Sequence, residues 1–592
     1  MAKAPLSARR AMPGKERKEM SKQRKALPQH PPQSPAPAQR GGAPTTRRTF
    51  LGQLAGAATV MVVADGALGT RTAQAGTGAA PKPHGGTYAP LSVSDLRHRR
   101  NAAFQMRVDR ARHWHDLPMQ LPLANDDELQ YPDGRANFSK ALPHDDLGHP
   151  DPDAFAALVH ACTSGDPDDF AAIPLGGAQP LRNPQAGLSF EVCGYDSNQT
   201  IVPPAPAFAS AWRAGEMVEV YWASLLRDVP FVEYGTHPLV AKACRDLSRL
   251  SDFRGPKASG LVTPHTIFRA PYAGSVGGPF ISQFLLQDIA FGVQVNTQQV
   301  QVFVPGVDYL TDYDDWLARQ NGAAFGPRQY DPTLRYMHNI RDLAAWVDAD
   351  PPLQAAYHAL SILLQMQAPL DPASPYVSQI TNQDAFTTFG PVEWFDLIGR
   401  APRPAHEAVW FQKWRIHRSL RPEEYGGRVH NHLTSAFAYP LHADVLHSQV
   451  VQETFRRYDT YLCSQAYPDG APTHCAYPSG HSVGAGATIT MLKAVFDESF
   501  VIPNPVEPTA NGLRLQPYVG PPLTVGGEIN KLAFNIGMAR VMAGIHWRSD
   551  VIEGNKLGQE VSISILQDMQ PAYNEPYSGF TLTKFDGTTF QI

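Results

Sequence analysis

Apolar residues recur at helical spacing along most of the chain, whereas runs that alternate like a β-strand are few. Helical patterns bordered by Pro, Gly or capping residues lie at 93–115, 153–162, 205–226, 235–250, 333–347, 352–366, 405–419, 444–464, 482–497, 527–544 and 549–569. The apolar run 280–291 predicts a buried helix, and the alternating Val and Gln of 293–304 predict a hairpin or extended arm. The pattern therefore predicts a mainly α protein, with helices bundled around a site and a minor β hairpin.

The length of 592 residues allows several domains, although a large helical protein can also use this length in one continuous body. No internal repeat of fixed period is present in the sequence. We predict three parts: a basic, disordered leader at 1–75, an N-terminal helical part at 76–385, and a C-terminal helical bundle at 386–592 that carries the binding site.

Charge is distributed unevenly along the chain. Residues 1–75 carry 13 Lys and Arg against 3 Asp and Glu, whereas the rest carries 38 basic and 52 acidic residues. An acidic body with 18% charged residues argues against a nucleic-acid partner. Because the rest of the chain is acidic, a local cluster of basic side chains within it indicates a binding role more strongly than it would in a basic protein.

The leader has the layout of an export signal. Twin arginines in Thr45–Leu51 precede the apolar stretch 54–63, and Ala73–Ala75 offers a small-residue cleavage site. This layout resembles a twin-arginine signal, and a basic tail or a membrane helix are the alternatives. The apolar stretch is too short and too rich in Ala and Gly for a membrane helix. We therefore expect export to the periplasm or the extracellular space, and no membrane span in the mature protein.

The cysteines do not form a close-spaced metal pattern. Their number is odd, and they are Cys162, Cys193, Cys244, Cys463 and Cys475. In an oxidising compartment Cys463 and Cys475 could pair, but buried free thiols are the favoured state for most of them. A zinc site built from His474, Cys475, His481 and His546 is disfavoured, because neither His-Glu-x-x-His nor Cys-x-x-Cys occurs.

The stretch 476–487 has the pattern of an anion-binding turn that leads into a helix. Pro478 fixes a backbone angle, Ser479 can cap the helix, and Gly480 allows a ligand to approach the main chain. Free N–H groups and the positive end of the helix dipole favour an oxyanion at such a position. The alternative is an ordinary capped helix start. Only the other segments of the chain can distinguish an anion-binding turn from it.

Two further segments supply charge and imidazole. Lys413 and Arg421 lie eight residues apart near the end of a predicted helix, where both side chains can converge. Arg540 precedes His546, and Asp550 follows His546 by four residues, the spacing at which a carboxylate can hold an imidazole nitrogen.

Each segment also has an ordinary structural explanation. The run around Lys413 could be a solvated basic helix face, and His546 beside Trp547 could be a core histidine. Three cationic side chains, an anion-binding turn and the two histidines His481 and His546 are hard to explain together in this way. We therefore predict a pocket for a highly charged oxyanion.

These three segments resemble the signature shared by vanadium-dependent haloperoxidases and the related acid phosphatases. The eight-residue gap between Lys413 and Arg421 and the position of His474, five residues before Ser479, resemble the bromoperoxidase branch. Ala539 stands where phosphatases usually place serine. Further stretches resembling algal and bacterial bromoperoxidases are Phe138–Asp145, Asn183–Gly187, Pro203–Pro206, Tyr221–Trp222, Arg227–Phe231 and Gly278–Gln283.

The resemblance implies a vanadate cofactor, with vanadium in its highest oxidation state. His546 would be the one direct protein ligand to the metal, and Asp550 would fix its ring. The remaining vanadate-binding residues would be Lys413, Arg421, Ser479, Gly480, His481 and Arg540.

The resemblance also implies the catalytic roles. His481 would act as acid and base toward hydrogen peroxide, Lys413 would polarise a peroxide oxygen, and His474 would lie near the approach of peroxide and halide. Bromide and iodide would be oxidised to hypohalous acid equivalents that halogenate small organic acceptors, with chloride oxidised weakly or not at all. We expect a homo-oligomer, at least a dimer.

Two other functions remain open at this level. Phosphate resembles vanadate in charge and geometry, so a secreted acid phosphatase with His546 as nucleophile is the first alternative. A non-catalytic oxyanion-binding protein is the second, although tight binding alone does not need the pair His481 and His546.

Overall fold

Residues 93–592 are described by the computed structural model. The helices are α1 (Val93–Asp116), α2 (Asp127–Gln130), α3 (Pro152–Ser164), α4 (Pro167–Ala171), α5 (Ala211–Leu225), α6 (Pro238–Arg249), α7 (Tyr313–Gln320), α8 (Ile340–Ala349), α9 (Gln354–Gln365), α10 (Pro375–Ser378), α11 (Pro391–Arg400), α12 (Pro402–Trp410), α13 (Pro422–Leu433), α14 (Ala443–Leu446), α15 (Gln449–Tyr458), α16 (Gly480–Lys493), α17 (Val525–Met542) and α18 (Arg548–Met569). A π-helical segment, Phe411–His417, continues α12.

Strands are short and form only two-stranded antiparallel sheets in the described part of the chain. The pairs are β1 (Ile289–Phe291) with β2 (Gln294–Asn296), β3 (Val300–Phe303) with β4 (Tyr330–Arg335), β5 (Val506–Pro508) with β6 (Leu515–Pro517), and β7 (Thr581–Thr583) with β8 (Thr589–Gln591). The prediction of a mainly α fold with minor β structure is confirmed.

Several predicted boundaries are wrong. The run 280–291 is a 3-10 turn, Gln283–Leu285, followed by β1, because main-chain N–H groups at its start bind side chains of α17 instead of forming a helix. Ser282 N donates to Asn535 Oδ1 at 2.9 Å, and Gln283 N donates to Glu528 Oε2 at 2.8 Å. The segment 333–347 begins as β4 and turns helical only after Asn339, whose side chain caps α8. The pattern did not indicate α7, α11 or α13.

The central helices α16 and α17 are buried on nearly all sides. Every residue of α17 is buried, and in α16 only His481 is partly exposed. Such helices belong to the middle of a core and cannot show an amphipathic pattern. They carry the predicted turn at Gly480 and the predicted Arg540, so the pocket residues lie deep within the protein.

Glycines allow α16 and α18 to pack closely. A Cβ atom on Gly486 would lie 2.2 Å from the Asn555 carbonyl oxygen, and one on Gly558 would lie 2.1 Å from the Val483 carbonyl oxygen. Both contacts are with main-chain atoms, so only glycine fits at either position. The close packing brings the first turn of α18, which contains Asp550, against the start of α16.

The cysteines are unpaired in the structure, and the described helices do not include a membrane span. All five cysteines are free, including Cys463 and Cys475, and four of them are buried. Between residues 93 and 592, none of the helices combines the length and the apolar character needed to cross a membrane. The predicted export signal at Thr45–Leu51 and the cleavage site at Ala73–Ala75 lie outside the described residues.

Candidate active site

The start of α16 forms one wall of the pocket. Ser479 is the N-cap, and its hydroxyl accepts a hydrogen bond from Ser482 N at 3.3 Å. Gly480 is the first helical residue, so its main-chain N–H has no acceptor within the helix. The indole of Trp410 covers this turn, because a Cβ atom on Gly480 would lie 3.1 Å from its ring. The geometry fits an oxyanion at a helix start.

Lys413 and Arg421 converge on the extended stretch that precedes this helix. The Lys413 ammonium donates to the carbonyl oxygens of Cys475 and Ala476, each at 2.7 Å. Arg421 Nη2 donates to the His474 carbonyl oxygen at 2.6 Å and lies 3.3 Å from that of Cys475. The π-helical segment determines the position of Lys413, and the left-handed backbone of Arg418 at its end turns the chain toward Arg421.

His546 is held in a defined orientation by its neighbours. Its Nδ1–H donates to Asp550 Oδ2 at 2.6 Å, and the same oxygen accepts Trp547 N at 3.0 Å. Nε2 therefore carries a lone pair, which accepts from Arg421 Nη1 at 2.8 Å. Burial lowers the pKa of His546 well below its ordinary value, and the nearby positive charges of Arg421 and Lys413 lower it further. A buried, neutral imidazole with an unprotonated Nε2 is what a metal ligand requires.

Arg540 contributes a third buried positive charge. Its Nη1 makes only long contacts within the described chain, 3.3 Å to the Val347 carbonyl oxygen and 3.4 Å to the Tyr467 hydroxyl. Its Nε is buried and has no hydrogen-bond partner among residues 93–592. An orphaned donor on a buried guanidinium is costly unless an acceptor reaches it.

The electrostatics of the pocket match an anionic cofactor. Burial lowers the pKa of Lys413 well below its ordinary value, with the Arg421 charge adding to the effect, and burial lowers the pKa of Arg421 to about 10. Among the described residues, no carboxylate lies within 4.0 Å of the charged nitrogens of Lys413, Arg421 or Arg540. A multiply charged oxyanion would restore the charge balance and satisfy the free donors.

The two remaining predicted residues, His474 and His481, have different surroundings. His474 lies with Nδ1 3.0 Å from Arg421 Nη2, and its ring is 4.9 Å from that of Trp410. Burial and the charges of Arg421 and Lys413 lower the pKa of His474 well below the ordinary value. His481 is about one third exposed, and its Nε2 lies 3.3 Å from Asp350 Oδ1. His481, Asp350 and His406 line one small cavity over α16.

Several pocket residues were not indicated by the sequence. Trp410 could have been proposed, because it precedes Lys413 by three residues, about one helical turn. Asp350 is distant in sequence from every motif, so only the packing of α8 beside α17 reveals it. Tyr467 lies seven residues before His474, but its contact with Arg540 exists only in the folded chain. His406 contacts the pocket across Gly484 of α16.

Comparison with known proteins identifies relatives along most of the chain. The family described as "VCPO second helical-bundle domain" matches residues 395–575. A vanadium-dependent bromoperoxidase of Ascophyllum nodosum is 36% identical over 483 residues, which span 77% of this chain and 86% of that protein. One from Corallina officinalis is 32% identical over 598 residues, which span 85% of this chain and all of the relative.

A solved structure agrees with these relatives. The homohexameric second vanadate-dependent bromoperoxidase of Ascophyllum nodosum superimposes with a TM-score of 0.81 at 28% sequence identity, covering 90% of this chain and 95% of that one. The relatives do not favour the acid phosphatase alternative. This enzyme accordingly uses a vanadate cofactor, and the chain belongs to the family of vanadium-dependent bromoperoxidases.

Proposed function

We propose that this protein uses hydrogen peroxide to oxidise bromide and iodide to hypohalous acid equivalents, which halogenate small organic acceptors. The main support is the set of three buried cations around the unprotonated Nε2 of His546. The charged nitrogens of these cations have no carboxylate within 4.0 Å among the described residues. The relatives named bromoperoxidases support the same substrate.

The proposed cofactor site uses residues from three segments. Lys413, Arg421 and Arg540 supply positive charge, and Ser479 and Gly480 supply a hydroxyl and a main-chain N–H. His546 Nε2 is the proposed metal ligand, and Asp550 keeps the proton on Nδ1 so that Nε2 stays unprotonated. Vanadate, when bound, supplies a Lewis acid that polarises peroxide without a change in its own oxidation state.

His481 is the proposed acid and base. Its Nε2 lies 3.3 Å from Asp350 Oδ1, and this carboxylate is proposed to orient the ring so that Nδ1 can accept a proton from hydrogen peroxide and return it to the departing oxygen. The partial exposure of His481 gives it access to peroxide and water, whereas His546 is fully buried. Lys413 is the proposed cation that draws electron density from the peroxide oxygen that the halide attacks.

His474 is the proposed residue beside the path of peroxide and halide. Its contact with Arg421 and its depressed pKa keep it neutral, so it adds no further positive charge to the pocket. We propose that bromide and iodide are good substrates and that chloride, which is harder to oxidise, is a weak one.

Two broader proposals concern assembly and location. The homohexameric state of the structural relative supports a homo-oligomer for this chain, which light scattering of the purified protein tests. The twin arginines of Thr45–Leu51 support export to the periplasm or the extracellular space. Replacement of Arg47 and Arg48 by lysine should then retain the protein in the cytoplasm, as measured by cell fractionation.

The proposed function is tested by reconstitution. The purified chain, stripped of vanadium, is assayed for bromination of a dimedone dye with hydrogen peroxide and bromide, before and after addition of orthovanadate. Bromination that depends on orthovanadate supports the proposal, and repetition with iodide and chloride tests the halide preference. Absence of bromination together with hydrolysis of nitrophenyl phosphate would overturn it.

A further inference from the structure

Helix α5 holds the turn that carries the proposed metal ligand. Its residues Arg213, Glu216 and Glu219 recur every three positions and therefore share one face of the helix. All three are buried, and together they contact the three consecutive residues that directly follow His546, which are Trp547, Arg548 and Ser549. None of these α5 residues lies within the segment that matches the family profile, 395–575.

Glu216, from a different helix, caps a free N–H group in the first turn of α18. Ser549 N donates to Glu216 Oε1 at 2.6 Å, and the Ser549 hydroxyl donates to Oε2 at 3.1 Å. The residue at the N-cap position is Trp547, whose side chain offers no acceptor for the helix N–H groups. Glu216 thus satisfies a donor that would otherwise be orphaned at a buried helix start.

Arg213 keeps this carboxylate in place. Its Nη1 donates to Glu216 Oε2 at 3.0 Å, and its guanidinium lies 4.2 Å from the centre of the Trp547 ring. The Trp547 indole in turn donates to the Leu420 carbonyl oxygen at 2.9 Å, directly before Arg421. The contacts from α5 therefore extend from the turn after His546 to the residue before a pocket cation.

The capping by Glu216 fixes the turn from which Asp550 binds His546. Asp550 occupies the third position of α18, where a carboxylate commonly binds free N–H groups of the first turn. Ser549 N is bound to Glu216, whereas Asp550 Oδ2 accepts Trp547 N and His546 Nδ1, and Asp550 Oδ1 has no hydrogen-bond partner among the described residues. Without Glu216, Ser549 N would lack an acceptor at a buried helix start, and a shift of the first turn of α18 toward another acceptor would displace Asp550 and His546 with it.

We propose that Glu216 is a positioning residue for vanadate binding, which orients His546 through the first turn of α18. The proposal rests on the proposed role of His546 as the metal ligand. It predicts that changes at Glu216 weaken vanadate binding, whereas changes at Glu219 do not. Glu219 is the matched control, because it is also buried on the same face but binds the guanidinium of Arg548 instead of a main-chain N–H.

The experiment measures the vanadate dissociation constant of the full, metal-free protein by equilibrium dialysis against orthovanadate. The variants are Glu216→Gln, Glu216→Asp, Glu219→Gln, Glu219→Asp and His546→Ala, each checked for folding by circular dichroism and Tm. Glu216→Asp keeps the charge but withdraws it from Ser549, and we expect a dissociation constant raised about 10-fold to 100-fold. Glu216→Gln keeps an acceptor oxygen, and we expect a smaller rise of about 3-fold to 10-fold.

The outcomes separate positioning from general stability. Glu219 variants that lower Tm but leave the dissociation constant within about threefold of the wild-type value support the proposal. A folded Glu216→Asp variant with unchanged affinity would overturn it, and so would equal losses in the Glu219 variants. If Glu216→Asp does not fold, unchanged affinity in Glu216→Gln overturns the proposal. Wild-type affinity in His546→Ala would instead show that the proposed ligand itself is wrong.

Discussion

The Nε2 atom of His546 distinguishes a metal ligand from a simple counter-charge. Lys413, Arg421 and Arg540 can attract any multiply charged anion, but they cannot form a coordinate bond. The imidazole can, because Asp550 fixes the proton on Nδ1, and burial together with the surrounding positive charge lowers the pKa so that Nε2 stays unprotonated. If His546 is the ligand as proposed, the preference for vanadate over other multiply charged oxyanions depends on this histidine.

We predict that His546→Ala loses tight vanadate binding while the protein stays folded. Wild-type protein with orthovanadate at about 100 times its dissociation constant should gain about 2.7 kcal/mol of stability, measured as a rise in Tm. The variant should show little or no rise. His447→Ala, which removes an exposed histidine, is the control and should respond like the wild type.

Asp350→Asn tests the proposed acid and base. The carboxylate lies 3.3 Å from His481 Nε2, and within residues 93–592 it makes no ion pair with the pocket cations. We expect bromination to slow by about 10-fold to 100-fold, with vanadate affinity within about threefold of the wild-type value. Asp348→Asn is the control, because this residue lies two positions earlier and pairs with Arg328. It should not slow bromination by about 10-fold, and its vanadate affinity should stay within about threefold of the wild-type value. A loss of vanadate affinity in Asp350→Asn would assign the carboxylate to cofactor binding instead.

Sequence patterns indicated the individual residues within motifs and missed their distant partners. Ser479, His546 and Asp550 could be proposed because spacing alone relates them to a helix start or to each other. Asp350 and Glu216 could not, since each meets the pocket through tertiary packing of distant parts of the chain.

Close packing between elements determines how the motifs meet. The contact of α16 with α18 places Ser479 beside Asp550, and Ser479 N donates to the Asp550 carbonyl oxygen at 2.9 Å. The periodicity of apolar residues predicted both helices, but a nearly all-buried helix such as α16 has no preferred face from which to infer its partner. The run 280–291 was misassigned for a related reason, because side chains of α17 bind its main chain.

We predict that Gly558→Ala weakens both stability and vanadate binding. The added methyl group would meet the Val483 carbonyl oxygen, so α16 and α18 must separate, at a cost of about 1–3 kcal/mol. Denaturant unfolding and equilibrium dialysis measure the two effects. Gly235→Ala is the control, because nothing in the described chain lies within 4 Å of its new methyl group. Unchanged vanadate affinity in a destabilised Gly558→Ala protein would show that this contact does not position the pocket.

Across the whole molecule, the two predicted halves of the described chain share a buried ion-pair network. Asp308 accepts hydrogen bonds from Arg227, Arg341, Arg457 and the Tyr458 hydroxyl. Burial alone would raise the pKa of Asp308, but Arg227 and Arg341 outweigh it and lower the pKa to about 2. No sequence pattern indicated this network, because its members are far apart along the chain and none lies in a motif of the predicted site.

Asp308→Asn should destabilise the whole molecule in a pH-dependent way. Removal of the charge from beside buried arginines is expected to cost about 3–5 kcal/mol at pH 7. The pKa is depressed in the folded state, so the charge stabilises fully above about pH 4 and less as the pH falls toward about 2. The difference in the free energy of urea unfolding between variant and wild type should therefore narrow as the pH falls from about 4 toward about 2. Asp314→Asn, an exposed change, should show no such trend.

X-ray absorption at the vanadium edge can show whether His546 binds the metal. We predict that vanadate bound to the wild-type protein shows one nitrogen at bonding distance beside its oxygen atoms, and that His546→Ala loses this nitrogen. A shell of oxygen atoms alone in the wild type, or an identical nitrogen contribution in His546→Ala, would contradict the assignment of His546 as the ligand and with it the proposed site.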